Sequence, residues 1–359
     1  MAVSAAALSA MPTAEASKDA IFLDVCVDCH GDSPKYPVRG AALEFESSGH
    51  KNLGNSHYAN GEGCQQCHTS EGFVQFVQTG KVGDFVPVPS QPDCFTCHTP
   101  HTKGNFSLRT TEPVTLADGT EVDNGAGNLC ASCHHARTDA RKEVKPMAAR
   151  DIRSYWGGHH GPQADVLNGA NAFEFAGKKY SSSQHRDIIR DGCAICHMAY
   201  PQGRYSLSPQ VGGHSFAIVG EVHEQPVANT FGCVSCHEGI AQVRGQEIFD
   251  ITAKADYDLD GIIEPVQAEV AGIFDLFVNE RGTGYLQRLT PPFYGADGSW
   301  YQSMSAKERP TSEVAALYNY KLFLEDRSKG VHNTIYTIQV LYDSLKALDP
   351  SFDDSRRPE

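Results

Sequence analysis

Twelve cysteines occur in this sequence, and every one belongs to a Cys-x-x-Cys-His stretch. The six stretches are Cys26/Cys29/His30, Cys64/Cys67/His68, Cys94/Cys97/His98, Cys130/Cys133/His134, Cys193/Cys196/His197 and Cys233/Cys236/His237. A Cys-x-x-Cys pair alone suits a redox dithiol or half of a zinc site. With histidine fixed at the next position it reads as the attachment of a c-type haem. Each thiol forms a thioether to a haem vinyl, and the histidine reaches the iron from the same side. Six repeats with no cysteine left over set the other two readings aside and make six haem c groups the expected cofactor.

Each of six irons has a second axial position, and the chain has ten histidines outside the motifs to fill it: His50, His57, His101, His135, His159, His160, His185, His214, His223 and His332. Imidazole suits iron, and its second nitrogen can be oriented by a hydrogen bond. Two strong neutral ligands close the metal, so little rearranges when its charge changes, and such a site carries electrons rather than converting a substrate. Methionine is scarce, with Met147 and Met198 as the possible exceptions. His57 stands seven residues before Cys64 and His185 eight before Cys193. That repeated spacing suggests one local unit that sets a distal ligand beside the next haem. His50, His160, His214 and His332 lie next to, or two residues from, Gly49, Gly161, Gly213 and Gly330, which lets backbone approach a flat ring. His101 and His135 follow their own motifs too closely to reach the far face of their own haem. His159 and His160 are adjacent, so one of them is enough for a given iron.

The surroundings must position these groups. Across 359 residues, 40% are hydrophobic and 21% charged, the balance of a folded chain. No run reaches the roughly 18 apolar residues of a membrane-spanning helix. The formal charge of −14, to which haem propionates would add, excludes a nucleic-acid partner, which needs a basic surface. The expected fold is that of a multihaem cytochrome c: a haem-chain core wrapped by loops and short helices with little sheet, plus a more helical C-terminal region.

Three stretches follow. Residues 1–19 form an apolar N-terminal segment; residues 1–16 are expected to stay in the mature chain and lie against another surface, such as a neighbouring copy. Ala14-Glu15-Ala16 has the look of a leader-cleavage site, and export is expected in either case. Residues 20–240 are the hexahaem-binding region, with a helix over 20–30 and a hairpin over 105–122 turning at Asp118-Gly119. Phe73, Phe76 and Phe85 are expected to pad haem faces. Residues 241–359 are free of cysteine, with helical patterning at 266–278, 311–324 and 334–348. This tail should fold back so that His332 closes one haem. Asp256, Asp258 and Asp260 followed by Gly261 give the front half of a calcium loop. Its twelfth position holds Gln267, so Glu264 or Glu269 would complete the shell around a Ca2+ ion that pins the tail.

The motifs together with SGH at 48–50, GCQQCHTSEGF at 63–73, HHGPQAD at 159–165, GGHSF at 212–216, DYDLDG at 256–261 and YNYKLFLEDRSKGVHNTIY at 318–336 carry a resemblance. The chain resembles the extracellular multihaem c-type cytochromes of metal-reducing bacteria, including relatives that polymerise into filaments. The resemblance implies His50, His160, His214 and His332 as distal ligands, with His185 and His57 after them, calcium near Asp256–Asp260, and haems close enough for electrons to hop. In filament-forming members, one haem at a subunit boundary takes its distal histidine from the neighbour. The spacing and the long cysteine-free tail differ from the hexahaem filament pattern and leave the polymer geometry open. The expected function is extracellular electron transfer within a homopolymer, without enzymatic activity. Its partners would be other multihaem cytochromes or extracellular electron acceptors. The alternatives are a monomeric periplasmic or outer-surface shuttle and an oxyanion reductase with one open haem. Against the reductase, all six motifs end in histidine and none in lysine.

Overall fold

The computed structural model describes residues 38–51, 61, 63–83, 86–99, 106–202, 207–222, 224–238, 240 and 251–359. The segment 1–19, the helix expected over 20–30, the motif Cys26/Cys29/His30, and Phe85, His57, His101 and His223 lie outside these residues.

Before residue 200 the helices are short: α1 (Val38–Glu46), α2 (Gln65–His68), α3 (Ser70–Thr79), α4 (Cys94–Cys97), α5 (Asn128–Ala131), α6 (Ala140–Glu143), α7 (Gln163–Asn168), α8 (His185–Ile188) and α9 (Cys193–His197). Sheet is confined to three two-stranded antiparallel ladders among the described residues: β1 (Val114–Thr115) with β2 (Glu121–Val122), β3 (Met147–Ala148) with β6 (Glu308–Arg309), and β4 (Val219–Val222) with β5 (Gln225–Ala228). Loops and single helical turns dominate, as the sequence leads one to expect. The hairpin at Asp118-Gly119 forms with Val114 opposite Val122, but its first strand is shorter than 105–114. Leu108 pairs instead with His98 in a separate bridge, and Pro113 has no N–H to offer a ladder.

The C-terminal region differs. Helices α10 (Val266–Phe277), α11 (Thr311–Asp326) and α12 (Thr334–Leu348) interlock through Ile273 and Phe277, Val314 and Leu317, and Ile338 and Leu341, all buried. Helix α11 is buried without a break from Val314 to Tyr320, the mark of a helix enclosed on every side. The same core takes in Ala136, Ala140, Ile152, Trp156 and Val166, so packing continues across the boundary expected near residue 240.

Buried amides on these helices hold the chain that leads to the fifth motif. Asn319 accepts the N–H of Phe173 at 2.7 Å and donates to its carbonyl at 3.0 Å. Gln339 accepts from Ser181 N–H at 2.7 Å, and Asn333 accepts from Ser183 N–H at 2.8 Å while capping α12. Residues 173–183 thus run along the helical body and deliver His185 at a set place.

Candidate haem-binding site

Each described motif is a single helical turn. The amide of the motif histidine closes on the carbonyl of the first cysteine at 3.1 Å for His68, 2.9 Å for His98, 2.8 Å for His134 and 2.9 Å for His237. Positions i, i+3 and i+4 share one face of such a turn, so two thiols and an imidazole point the same way. In α4 the turn is secured by a capping box, Asp93 accepting from Thr96 N–H while Thr96 answers to Asp93 N–H at 2.8 Å.

These five faces open onto one connected cavity of about 2260 Å3, lined also by His50, His159, His160, His185, His214 and His332. An ordinary ligand pocket spans roughly 300–1,000 Å3, so this space suits several large flat groups rather than one small molecule.

Across the cavity every described motif histidine faces one histidine from elsewhere. The ring centres are 6.4 Å apart for His68 and His159, 6.3 Å for His98 and His214, and 6.0 Å for His134 and His50. They are 6.2 Å apart for His197 and His332 and 5.9 Å for His237 and His185. A metal held by an imidazole nitrogen on each side at about 2 Å would set two ring centres roughly 6 Å apart. The residues present fit a metal gripped from both faces at all five places.

The far nitrogens are also held. Nδ1 of His98 meets Phe106 O at 2.8 Å, that of His197 meets Phe216 O at 2.8 Å, and that of His185 meets Val331 O at 3.0 Å. His134 Nδ1 contacts Gln163 Oε1 at 3.1 Å and His332 Nδ1 contacts Asp326 Oδ1 at 2.6 Å. An acceptor on Nδ1 fixes the tautomer and leaves Nε2 free to hold a metal were one bound. Burial lowers His134, His185 and His197 and so favours the neutral ring that ligates, whereas at His332 burial is outweighed by Asp326, which raises it. Burial, helped by His134, pushes His50 down to about 4; burial, with Arg137 and other cations near, does the same for His159.

Of the six distal histidines expected from the resemblance, His50, His185, His214 and His332 stand opposite motif histidines. His57 lies outside the described residues. His160 does not face His68; His159 does, from a left-handed backbone at φ 71°, a conformation that costs a non-glycine residue about 1–3 kcal/mol. His160 is mostly exposed, with Nδ1 2.8 Å from Glu325 Oε2. His135 turns its Nδ1 to Ala136 O at 2.7 Å. The resemblance carried by HHGPQAD named His160, whereas its neighbour His159 is the member that faces a motif histidine, because adjacent residues differ only in the direction the backbone sends them.

The motifs also touch each other. Cys133 Sγ lies 3.9 Å from Gln66 O and Cys193 Sγ 3.9 Å from Gly127 O, which seats the second, fourth and fifth motifs side by side. Phe216 sits among three sites: its ring centre is 5.0 Å from His50 and 6.0 Å from His214, and its carbonyl takes His197. Neither Phe216 nor Gln163 carried a signal in the sequence; GGHSF and HHGPQAD contain them only as flanking letters. Gly213 is required where it stands, at φ +51°, since a Cβ would come 2.2 Å from Glu44 Oε2. That carboxylate accepts the N–H of His214 at 2.8 Å and so ties α1, which precedes His50, to the third motif's partner.

In the tail, carboxylate oxygens of Asp256, Asp258 and Asp260 all lie within 4.8 Å of one another. Asp256 accepts from Asp260 N–H at 3.1 Å and Gly261 N–H at 3.0 Å, curling the loop. Burial first, then the charges of Asp260 and Glu269, push the Asp258 carboxyl up to about 6. Glu269 is fully buried and spends its oxygens on the N–H groups of Tyr257, Asp258 and Glu264, bracing the loop from behind.

No protein-family model matches the chain. The C-type polyhaem cytochrome OmcC of Geobacter sulfurreducens is 24% identical over 399 residues, covering 90% of this chain and 50% of that protein. The chain is a distant relative of a polyhaem c-type cytochrome. Among solved structures, outer cell wall cytochrome OcwA is similar over 85% of this chain and 50% of its own, at 20% identity and a TM-score of 0.49. The undecahaem cytochrome from the S-layer of Carboxydothermus ferrireducens is similar over 89% and 41%, at 17% identity and a TM-score of 0.39. The chain therefore spans about half the length of the polyhaem cytochrome it matches. No helix among the described residues is long and apolar enough to cross a membrane.

Proposed function

We propose that this chain is an extracellular electron carrier with six covalently attached haem c groups, each held between two imidazoles. Bound haem supplies a reversible one-electron iron couple; the protein contributes attachment, closure and orientation. The cysteines Cys64 and Cys67, Cys94 and Cys97, Cys130 and Cys133, Cys193 and Cys196, and Cys233 and Cys236 attach five groups, and Cys26 and Cys29 the sixth. The pairs His68 with His159, His98 with His214, His134 with His50, His197 with His332 and His237 with His185 close the two faces. The sixth, on His30, draws its partner from His57 or from His160, whose Nδ1 is already anchored on Glu325. The observation that carries this reading is that all five described motif histidines have one facing imidazole at 5.9–6.4 Å. Haem counting and electron paramagnetic resonance of the purified protein test it: six haems per chain, all low-spin, are expected. A high-spin ferric signal would sink the reading and restore the reductase alternative.

Thioether attachment belongs to exported proteins, and the two similar structures are named for an outer cell wall and an S-layer. We therefore place this chain at the outer surface as a single carrier. A homopolymer is the second reading, favoured by the exposed ring of His160, which could serve a haem of a neighbouring copy. Particle size separates the two: filaments that disperse in His160→Ala support the polymer. The Asp256–Asp260 loop completes the proposal as a Ca2+ site, since three converging oxygens on one curled loop suit a hard cation.

A further inference from the structure

The five facing pairs are not equivalent on the side away from the cavity. Four Nδ1 atoms end on a backbone carbonyl or a neutral amide, those of His98, His185, His197 and His134. His214 has the Glu44 carboxylate 3.5 Å away, but makes no ring hydrogen bond to it. His332 alone among the described pairs has a carboxylate at hydrogen-bond distance, Asp326 Oδ1 at 2.6 Å.

That carboxylate is built in. The Asp326 side chain is 2% exposed, sits at the C-terminal end of α11, and forms no ion pair with lysine or arginine among the described residues. Its second oxygen takes the hydroxyl and, at 3.3 Å, the N–H of Ser328. Ser328 Oγ in turn accepts from His332 N–H at 3.2 Å, closing the loop that carries the ligand. Gly330, at φ +85°, lets that loop pass Val270, whose Cγ2 would be 3.0 Å from a Cβ. The group therefore cannot turn away to water.

We infer that Asp326 is a positioning residue that makes the site of Cys193, Cys196, His197 and His332 the most reducing of the five described. A buried carboxylate on Nδ1–H draws the ring proton toward itself and leaves the imidazole a stronger donor. Its negative charge also favours the ferric over the ferrous state at low local dielectric. Backbone carbonyls and the Gln163 amide lack that charge. The site stands beside the fourth motif, with Cys193 Sγ 3.9 Å from Gly127 O just ahead of Cys130. This inference rests on the two-imidazole reading above.

The test is a potentiometric titration of the holoprotein followed by electron paramagnetic resonance. Asp326→Asn keeps the shape and removes the charge; one low-spin signal should move to more positive potential and change its anisotropy, with the others unmoved. Ser328→Ala removes a donor from Oδ2 and concentrates charge toward His332; the same signal should move to more negative potential. Opposite shifts in one signal support the inference, because loosening of the loop would move both variants the same way. Shifts of one sign, or no shift with every haem low-spin, overturn it while leaving two-imidazole ligation intact. A high-spin haem in the unsubstituted protein would instead overturn the ligation itself.

Discussion

The cofactor-facing part of the molecule and its C-terminal body solve the same stability problem by different means. In the first, α2, α4, α5 and α8 are four residues long and α9 five, and their faces surround a cavity of about 2260 Å3. Its separate side-chain core is small: Leu116, Val122, Ala131, Ala164 and Ala170. In the second, helices of 12, 16 and 15 residues bury a continuous set of large side chains against each other. Isolated helices shorter than about 12–15 residues are marginal in water. On the proposed reading, attached haems complete the interior of the first region, whereas the second completes its own. Residues 136–173 belong to both, and His332 and Asp326 carry the body's rigidity into the cavity.

The largest effect should come from withholding the cofactor. A chain with all motif cysteines changed to serine is expected to lose protease protection over 63–135, while 136–180 and 251–359 stay protected. Limited proteolysis read by mass spectrometry checks this, and equal loss in both parts would break the contrast. Next, Leu317→Ala inside α11 should cost about 2–5 kcal/mol, the usual range for a buried leucine. Thermal unfolding measures it, and the low-spin spectrum at room temperature should persist.

His50→Ala sharpens the other side. One of six haems should turn high-spin in absorption and resonance spectra, with a smaller fall in melting temperature than for Leu317→Ala. The smallest effect belongs to the acidic loop. Removing calcium with a chelator should lower the melting temperature, by an amount equivalent to about 2.7 kcal/mol at a hundredfold excess of ion over its dissociation constant. The haem spectrum should not change. Protons compete for the same oxygens, so affinity should fall as pH drops through about 6, where Asp258 titrates. Calorimetry at two pH values reads that sign.

Much of the body was legible in advance. Thr334–Leu348 has the bounds its periodicity indicates, and α11 runs two residues past the expected Leu324 before Arg327 turns left-handed at φ 62°. Asp118-Gly119 marked its hairpin turn, although the strand before it shortened once Leu108 had another partner. Glu269 was legible as an acid near the calcium-like loop, but its work as a buried brace depends on amides it meets only after folding. Asp326 was invisible, since nothing in LEDRSKGVH says which side chain turns inward at the end of a helix.

Taken alone, the sequence determined where attachment chemistry is expected, because two thiols and an imidazole within five residues share one face of a single turn wherever that turn lies. Tertiary structure decided which imidazole faces which motif, and which acceptor each far nitrogen meets. Imidazoles are chemically identical at every position; only the path of the chain between them sets His159 rather than His160 opposite His68, and a carboxylate rather than a carbonyl behind His332.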